Sequence, residues 1–209
     1  MYIPPAFKDD DFESIRATIR DARLANLVTA TAEGPVATPM PLFLDDTEGE
    51  HGTLYGHLAR ANPQWRLPPI GDALAIFTGP EAYVTPSWYA TKQETGKVVP
   101  TWNYIAVHVY GPVEFFGEPE RLLDVVTRLT NKHEGSRAKS WAVSDAPADF
   151  IAAQLRGIIG VRIPVVRFEG KRKMSQNRPE ADRVGVAAGL AASDSPQDQQ
   201  VAPLIQVPV

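Results

Sequence analysis

Apolar residues recur along this chain with two periods, and the switch from one to the other marks the elements. In DDDFESIRATIRDAR, Phe12, Ile15 and Ile19 fall at helical spacing behind an acidic first turn, which predicts a helix from about Asp10 to Arg23. LANLVTATAEGPVATPMPLFLDD is rich in strand formers, with Glu33-Gly34 as the turn between two strands, and a loop leads on to a further strand, TLYGHL. NPQW opens a short helix, DALAIFTGPEAYV supplies one or two more strands, and TPSWYATKQETGKVVP is a long aromatic and polar loop with room for a helical turn. WNYIAVHVYGPVEFFG alternates as a long or bent strand, with Gly111-Pro112 at the bend. PERLLDVVTRLTNKHEG puts Leu122, Val125, Val126 and Leu129 on one helical face, with Pro119 in the first turn and Gly135 as the stop. A second helix is expected around Pro147 to Arg156. IIGVRIPVVRFEGKRKMSQN follows as a final strand whose Pro164 suggests an edge or bulge, and PEADRVGVAAGLA as a short closing helix.

Strands joined by short turns and broken by a few helices do not make the regular alternation of a doubly wound parallel sheet. The pattern fits a mainly β, α+β fold: a closed or partly open antiparallel barrel with added helices. Periodicity does not choose among barrels. At 209 residues and 44% hydrophobic content the chain suits one domain, expected over residues 1–190. Residues 191–209, largely SDSPQDQQVAPLIQVPV, read as a flexible tail.

There is no cysteine, so thiolate metal sites, cysteine nucleophiles and a disulfide framework are excluded. MYIPPAFKDDDF lacks the basic-then-apolar order of a signal peptide and no run has the length of a membrane span, which leads to the expectation of a cytoplasmic protein with no membrane partner. A net charge of -4 argues against a surface built for non-specific nucleic-acid attraction. The histidines show no HExxH or paired-ligand spacing, so no metal site is assigned. Walker A, GxGxxG and GxSxG patterns are absent, and no catalytic residue can be picked out.

The residues left over concentrate in three stretches. In YGHLARANPQW, Thr53, Tyr55 and His57 share one face of a strand, Arg60 lies just past its end, and Asn62-Pro63 caps a new helix. A helix N-terminus beside an arginine suits a phosphate; the same residues equally suit plain capping. In KRKMSQNRP, Lys171, Arg172, Lys173 and Arg178 alternate with neutral donors, as an anion site, a solvated strand end or a DNA-backbone contact would require. Between them Tyr83, Trp88, Tyr89, Trp102 and Tyr104 can cover a flat ligand, anchor a subunit interface or fill a core. Thr101, Asn103 and His108 are candidates for hydrogen bonds to a heterocycle edge or to backbone carbonyls. A flat, phosphate-bearing cofactor uses most of these residues at once.

MYIPPAF, YGHLARANPQW, YVTPSWY, VPTWNY and KMSQNRP, in this order and at these separations, resemble the signature blocks of the FMN-binding, PaiB-like family of negative transcriptional regulators, over essentially residues 1 to 190. The resemblance implies an antiparallel split β-barrel, shared with pyridoxamine phosphate oxidases and flavin reductases, and a homodimer with FMN at the subunit interface. It further implies that His57, Leu58, Ala59, Arg60 and Asn62 hold the FMN phosphate, that Thr38, Pro39 and Met40 lie along the isoalloxazine, and that Lys173, Gln176 and Arg178 complete the site. Trp88 and Trp102 lie in family blocks without an assignable role. A regulator implies a DNA or regulatory protein partner, yet the two predicted helices near 119–133 and 147–157 are too far apart for a helix-turn-helix. Two other functions stand beside this one. An FMN-dependent oxidoreductase using NAD(P)H needs no general acid or base of its own. A haem-handling split barrel would draw its ligand from His57, His108 or His133.

Overall fold

The computed structural model describes residues 1–207. In chain order the elements are β1 (Lys8–Asp9), α1 (Phe12–Asp21), β2 (Ala25–Thr31), β3 (Gly34–Met40), β4 (Leu42–Asp45), β5 (Thr53–Ala59), β6 (Ala73–Val84), α2 (Ala90–Thr95), β7 (Thr101–Gly111), β8 (Glu114–Phe116), α3 (Pro119–Glu134), α4 (Ala148–Leu155), β9 (Ile158–Pro164), β10 (Arg167–Lys173), α5 (Glu180–Ala191) and α6 (Pro196–Val201). The strand pairs with a described register are all antiparallel. The chain divides into two compact units. Unit 1 holds Met1–Thr18, Thr78–Val107 and the chain from Glu169 onward; unit 2 holds Ile19–Phe77 and His108–Phe168. Strands β6 and β7 each begin in one unit and end in the other.

Unit 2 starts from the β2–β3 hairpin. Buried and outward positions alternate along β2, Ala25, Leu27, Thr29 and Thr31 pointing inward, as a half-buried strand requires. Thr31 pairs with Gly34, so the connection is Ala32-Glu33, one residue earlier than the sequence suggests. Gly34 takes φ 115°, a backbone angle that side chains rarely tolerate. A second sheet runs β4-β5-β9-β8. On one side of β5, Leu54 and Leu58 are buried; on the other, Tyr55 stacks on Phe43 and joins the cluster of Phe43, Phe116, Leu122, Val125, Leu129 and Leu155 that seats α3 and α4. At Gly160 an added Cβ would lie 2.3 Å from the Phe116 ring, so the ring lies directly on the strand backbone.

Beside this cluster Arg162 on β9 donates to Glu48 at 2.5 Å and to the Tyr55 hydroxyl at 3.1 Å, while the Tyr55 hydroxyl donates to Glu48 at 2.6 Å. The hydrogen bond from Tyr55, then those from Arg162, hold the Glu48 carboxyl below its ordinary value near 4.5. A carboxyl depressed in the folded state adds stability that is complete above the unfolded value and fades as pH falls through the folded one. Glu48→Gln should therefore lower the urea midpoint at pH 7 and narrow its gap to the wild type as pH falls below about 4.5. Parallel midpoint curves from pH 7 to pH 3 would show that the carboxylate carries none of the acid sensitivity.

In unit 1 the strand order is β1-β10-β7-β6. The core gathers Ala82, Val84, Tyr89, Ile105, Met174, Val186, Leu190, Val201 and Ile205. Three expectations change here. The single final strand is two, β9 and β10, broken at Val165-Val166 and placed in different sheets. The helix expected over PEADRVGVAAGLA is present as α5, but it does not close the chain, because α6 follows it. The expected tail is ordered over Pro196–Leu204, where Ser195 caps α6 and Val201 and Ile205 are 0% and 5% exposed. Polar spacing around two isolated apolar residues hides this from a compositional reading.

Candidate functional site

The polar groups of YGHLARANPQW lie in unit 2 and are largely engaged with one another. Asn62 caps a single 3-10 turn, Pro63–Arg66: its side chain accepts from the Gln64 N–H at 2.9 Å and donates to the Thr38 hydroxyl at 2.9 Å. Thr38 in turn donates to the Gln64 side-chain oxygen at 2.6 Å. Gln64, 0% exposed, sends its amide into the β2–β3 hairpin, to the Thr29 hydroxyl at 3.0 Å and to the carbonyls of Leu27 and Val36 at 3.3 Å each. Thr38 and Asn62 are thus brought together around a glutamine that the sequence did not single out. Its one signal was a neutral amide directly behind an Asn-Pro cap. Plain capping, and not an open helix N-terminus, accounts for Asn62.

Arg60 has also found partners. Its Nε donates to the Arg156 carbonyl at 2.7 Å and its Nη2 to that of Ile158 at 3.0 Å, which ties the end of β5 to the carbonyl end of α4. Met40 and Leu58 are 3% and 2% exposed and belong to the interior, while Pro39 pairs with Asn26 and Ala59 with Ile158 at strand positions. His57 lines a cavity in the same unit, and burial pushes its imidazole pKa below the ordinary 6.5. Of the other histidines named for haem, His108 Nδ1 lies 3.5 Å from the Tyr110 hydroxyl and His133 sits in the last turn of α3. Among the described residues no cluster of three or more His, Asp or Glu could hold a metal ion.

The second stretch lies in unit 1, and strand alternation sorts its charges. Arg172 turns to one side of β10, where it reaches Ser14 at 2.9 Å and Asp9 at 3.6 Å. Lys171 and Lys173, two apart, share the opposite side. Lys171, 8% exposed, donates to the Tyr2 carbonyl at 3.2 Å and sits 5.0 Å from the Tyr104 ring centroid. Lys173 donates to the Thr101 hydroxyl at 2.5 Å and to the Trp102 carbonyl, near the Phe7 ring. The Arg178 guanidinium lies 4.5 Å over the Tyr89 ring. None of these three cations has a carboxylate partner among the described residues. Burial, and then the charges of Lys171 and Arg178, push the Lys173 pKa below its ordinary value. Such a cluster is poised for an anion. Gln176 is spent on its own turn, accepting from the Met174 N–H at 2.6 Å and donating to the Arg172 carbonyl. That turn passes through Ser175 at φ 61°, held by reciprocal hydrogen bonds with the buried Asn103 at 2.9 and 3.2 Å. Asn103 therefore serves the backbone turn.

The aromatic loop also gains definite roles. Trp88 closes a 3-10 turn, Pro86–Trp88, and lies against α5: an added Cβ on Gly185 would be 2.0 Å from its carbonyl oxygen, and one on Gly189 would be 2.4 Å from its indole. The Gly-xxx-Gly spacing within PEADRVGVAAGLA was the available sequence signal for that close approach. Thr91 binds Asp182 through both its N–H, at 2.9 Å, and its hydroxyl, at 3.0 Å, tying α2 to α5. Trp102 instead remains 53% exposed, edge-to-face with the 45% exposed Tyr83 at 5.8 Å.

Comparison with known proteins agrees with the family resemblance. Residues 1–167 match the family described as "Putative FMN-binding domain". Protease synthase and sporulation protein PAI 2 of Bacillus subtilis is 34% identical over 207 residues, 99% of this chain and 97% of that protein. Uncharacterized protein AN0679 of Emericella nidulans is 33% identical, covering 91% of this chain and 90% of its own. Among solved structures, the FAD and heme binding protein of Mycobacterium smegmatis superposes with a TM-score of 0.58 at 15% identity, covering 87% of this chain and 80% of that one. The flavocytochrome Anf3 of Azotobacter vinelandii gives 0.57 at 12% identity, covering 80% and 69%. The fold is the antiparallel split β-barrel with added helices. With the family match over residues 1–167 and a 34% identical relative covered almost end to end, the chain belongs to the FMN-binding domain family, in its PaiB-like branch.

Proposed function

We propose that this protein is a dimeric, FMN-binding regulator of the PaiB type, with FMN at an interface between two copies of the chain. The observation that carries this reading is the trio Lys171, Lys173 and Arg178, free of carboxylate partners among the described residues and each set against an aromatic ring. A dianionic phosphate would relieve the mutual repulsion of these cations, and a planar ring system suits the aromatic surroundings, so the residues fit FMN. Lys173 and Arg178 would grip the phosphate, with Lys171 adding charge behind them. Gln176 would shape the turn, and Thr38, Asn62 and Arg60 would brace the fold. FMN, when bound, supplies the capacity for electron and hydride transfer; the chain's part is to hold and orient it. The exposed Tyr83–Trp102 pair offers apolar surface for the second copy to cover. Regulation through a protein partner is favoured over direct DNA reading, because the net charge is -4 and residues 135–147 separate α3 from α4.

Fluorescence titration with FMN and with riboflavin tests the phosphate grip. Lys173→Met and Arg178→Ala should each weaken FMN by about ten- to a hundredfold, as expected for one charge-assisted hydrogen bond, with riboflavin little changed. Arg60→Ala, by contrast, should affect the two flavins alike. Equal losses of both flavins in the Lys173 and Arg178 variants would reject the assignment. In the same samples, anaerobic bleaching by NADH or NADPH faster than that of free FMN would move the function to an oxidoreductase, and a monomer in sedimentation would remove the shared interface.

A further inference from the structure

Unit 2 carries a half-open cavity of about 250 Å³ between α3, the 3-10 turn Val143–Asp145, α4, and the neighbouring strands β5 and β9. Its lining contains no Asp, Glu, Lys or Arg side chain. Most of the wall is aliphatic or aromatic, and Trp141 and Phe150, which belong to it, are 48% and 54% exposed. Among the described residues His57 from β5 is the only ionisable group lining it, and Nδ1 of that ring is shut away from solvent without a hydrogen-bond partner among them. A buried polar atom left unpaired is costly, so it marks a place where a partner is wanted. Burial lowers the pKa of this imidazole, which keeps the ring neutral at physiological pH, with one donor and one acceptor nitrogen. Rotation about the broad χ2 torsion can present either ring edge to the cavity.

Each of these features narrows the occupant. The absence of charged lining disfavours an ion, including a phosphate. A cavity of about 150 Å³ already holds benzene, so about 250 Å³ has room for one or two rings. Thr130 and Gln154 also line it, but of the lining residues only His57 holds a buried polar atom without a partner, so the mostly apolar walls select a largely hydrophobic molecule whose hydrogen-bonding group meets that ring.

We propose that this cavity binds an uncharged aromatic molecule of one or two rings, whose single hydrogen-bonding group pairs with the His57 imidazole. It is a site separate from the cation cluster of β10, and it gives a regulator an input other than flavin.

Calorimetric titration of the full chain with indole and with indene, its counterpart without the N–H, tests the proposal. The wild type should bind indole saturably, one per chain, and about tenfold more tightly than indene, the ratio expected for one hydrogen bond. His57→Leu should bring the two affinities within about threefold of each other, with indene still bound. Ala146→Phe fills the cavity from its rim without touching His57 and should abolish both titrations while the circular dichroism stays unchanged; it keeps the test decisive if His57→Leu does not fold. Absence of saturable binding to the wild type, or wild-type titrations in Ala146→Phe, would overturn the proposal, as would undiminished preference for indole in a folded His57→Leu.

Discussion

Gln64→Leu should destabilise the protein by about 3 kcal/mol, the largest single-residue loss in unit 2 outside its apolar core. Leucine matches the amide in size, so no large cavity forms and the effect isolates the polar contacts. The variant leaves the Thr29 hydroxyl and the carbonyls of Leu27 and Val36 without the amide that now serves them, and Thr38 keeps only Asn62. Unpaired buried polar groups cost about 1–3 kcal/mol each, and partial relaxation of the hairpin limits the sum. A urea titration reads the loss directly. A change under about 1 kcal/mol would mean that the hairpin and the Pro63–Arg66 turn are not locked through this side chain.

Gly185→Ala is the second, and two effects of opposite sign decide it. Alanine favours a helix interior over glycine by about 1 kcal/mol, so at an open position on α5 the exchange would stabilise. At this position the new methyl would sit 2.0 Å from the Trp88 carbonyl oxygen, a backbone atom that cannot swing aside. Either α5 or the Pro86–Trp88 turn must move, and overpacking of this kind costs about 1–3 kcal/mol, sometimes more. Because the contact is with backbone, the upper part of that range applies, for a net loss of about 2 kcal/mol. Thermal unfolding should show a midpoint several degrees lower. A neutral or raised midpoint would show that Trp88 does not lie against α5.

The sequence made most elements legible because their periods are local. The spacing of Phe12, Ile15 and Ile19, the single apolar face of α3 and the alternation of β7 need no tertiary partner to be read. What escaped depends on partners distant along the chain. Nothing near Val165-Val166 says that β9 and β10 belong to different sheets, because both halves are good strand sequence. Val201 and Ile205 looked like isolated apolar residues in a polar tail until α5 supplied the surface they cover. The family blocks located the chemistry of the molecule more coarsely than its wiring. YGHLARANPQW contains Arg60 and Asn62 as expected, but Arg60 binds the carbonyls of Arg156 and Ile158, nearly a hundred residues on, which no local pattern announces. Lys171 was visible as one charge in a basic run. Only the pleat of β10 separates it and Lys173 from Arg172.

That pleat restricts how the chain can change length over generations. An insertion or deletion of one residue ahead of Lys171 would swap the two sides of the strand, sending Arg172 in among the rings and stranding Asp9 without its guanidinium. Two-residue changes would preserve the arrangement. Descent with gaps should therefore spare this strand, or alter it only in even steps.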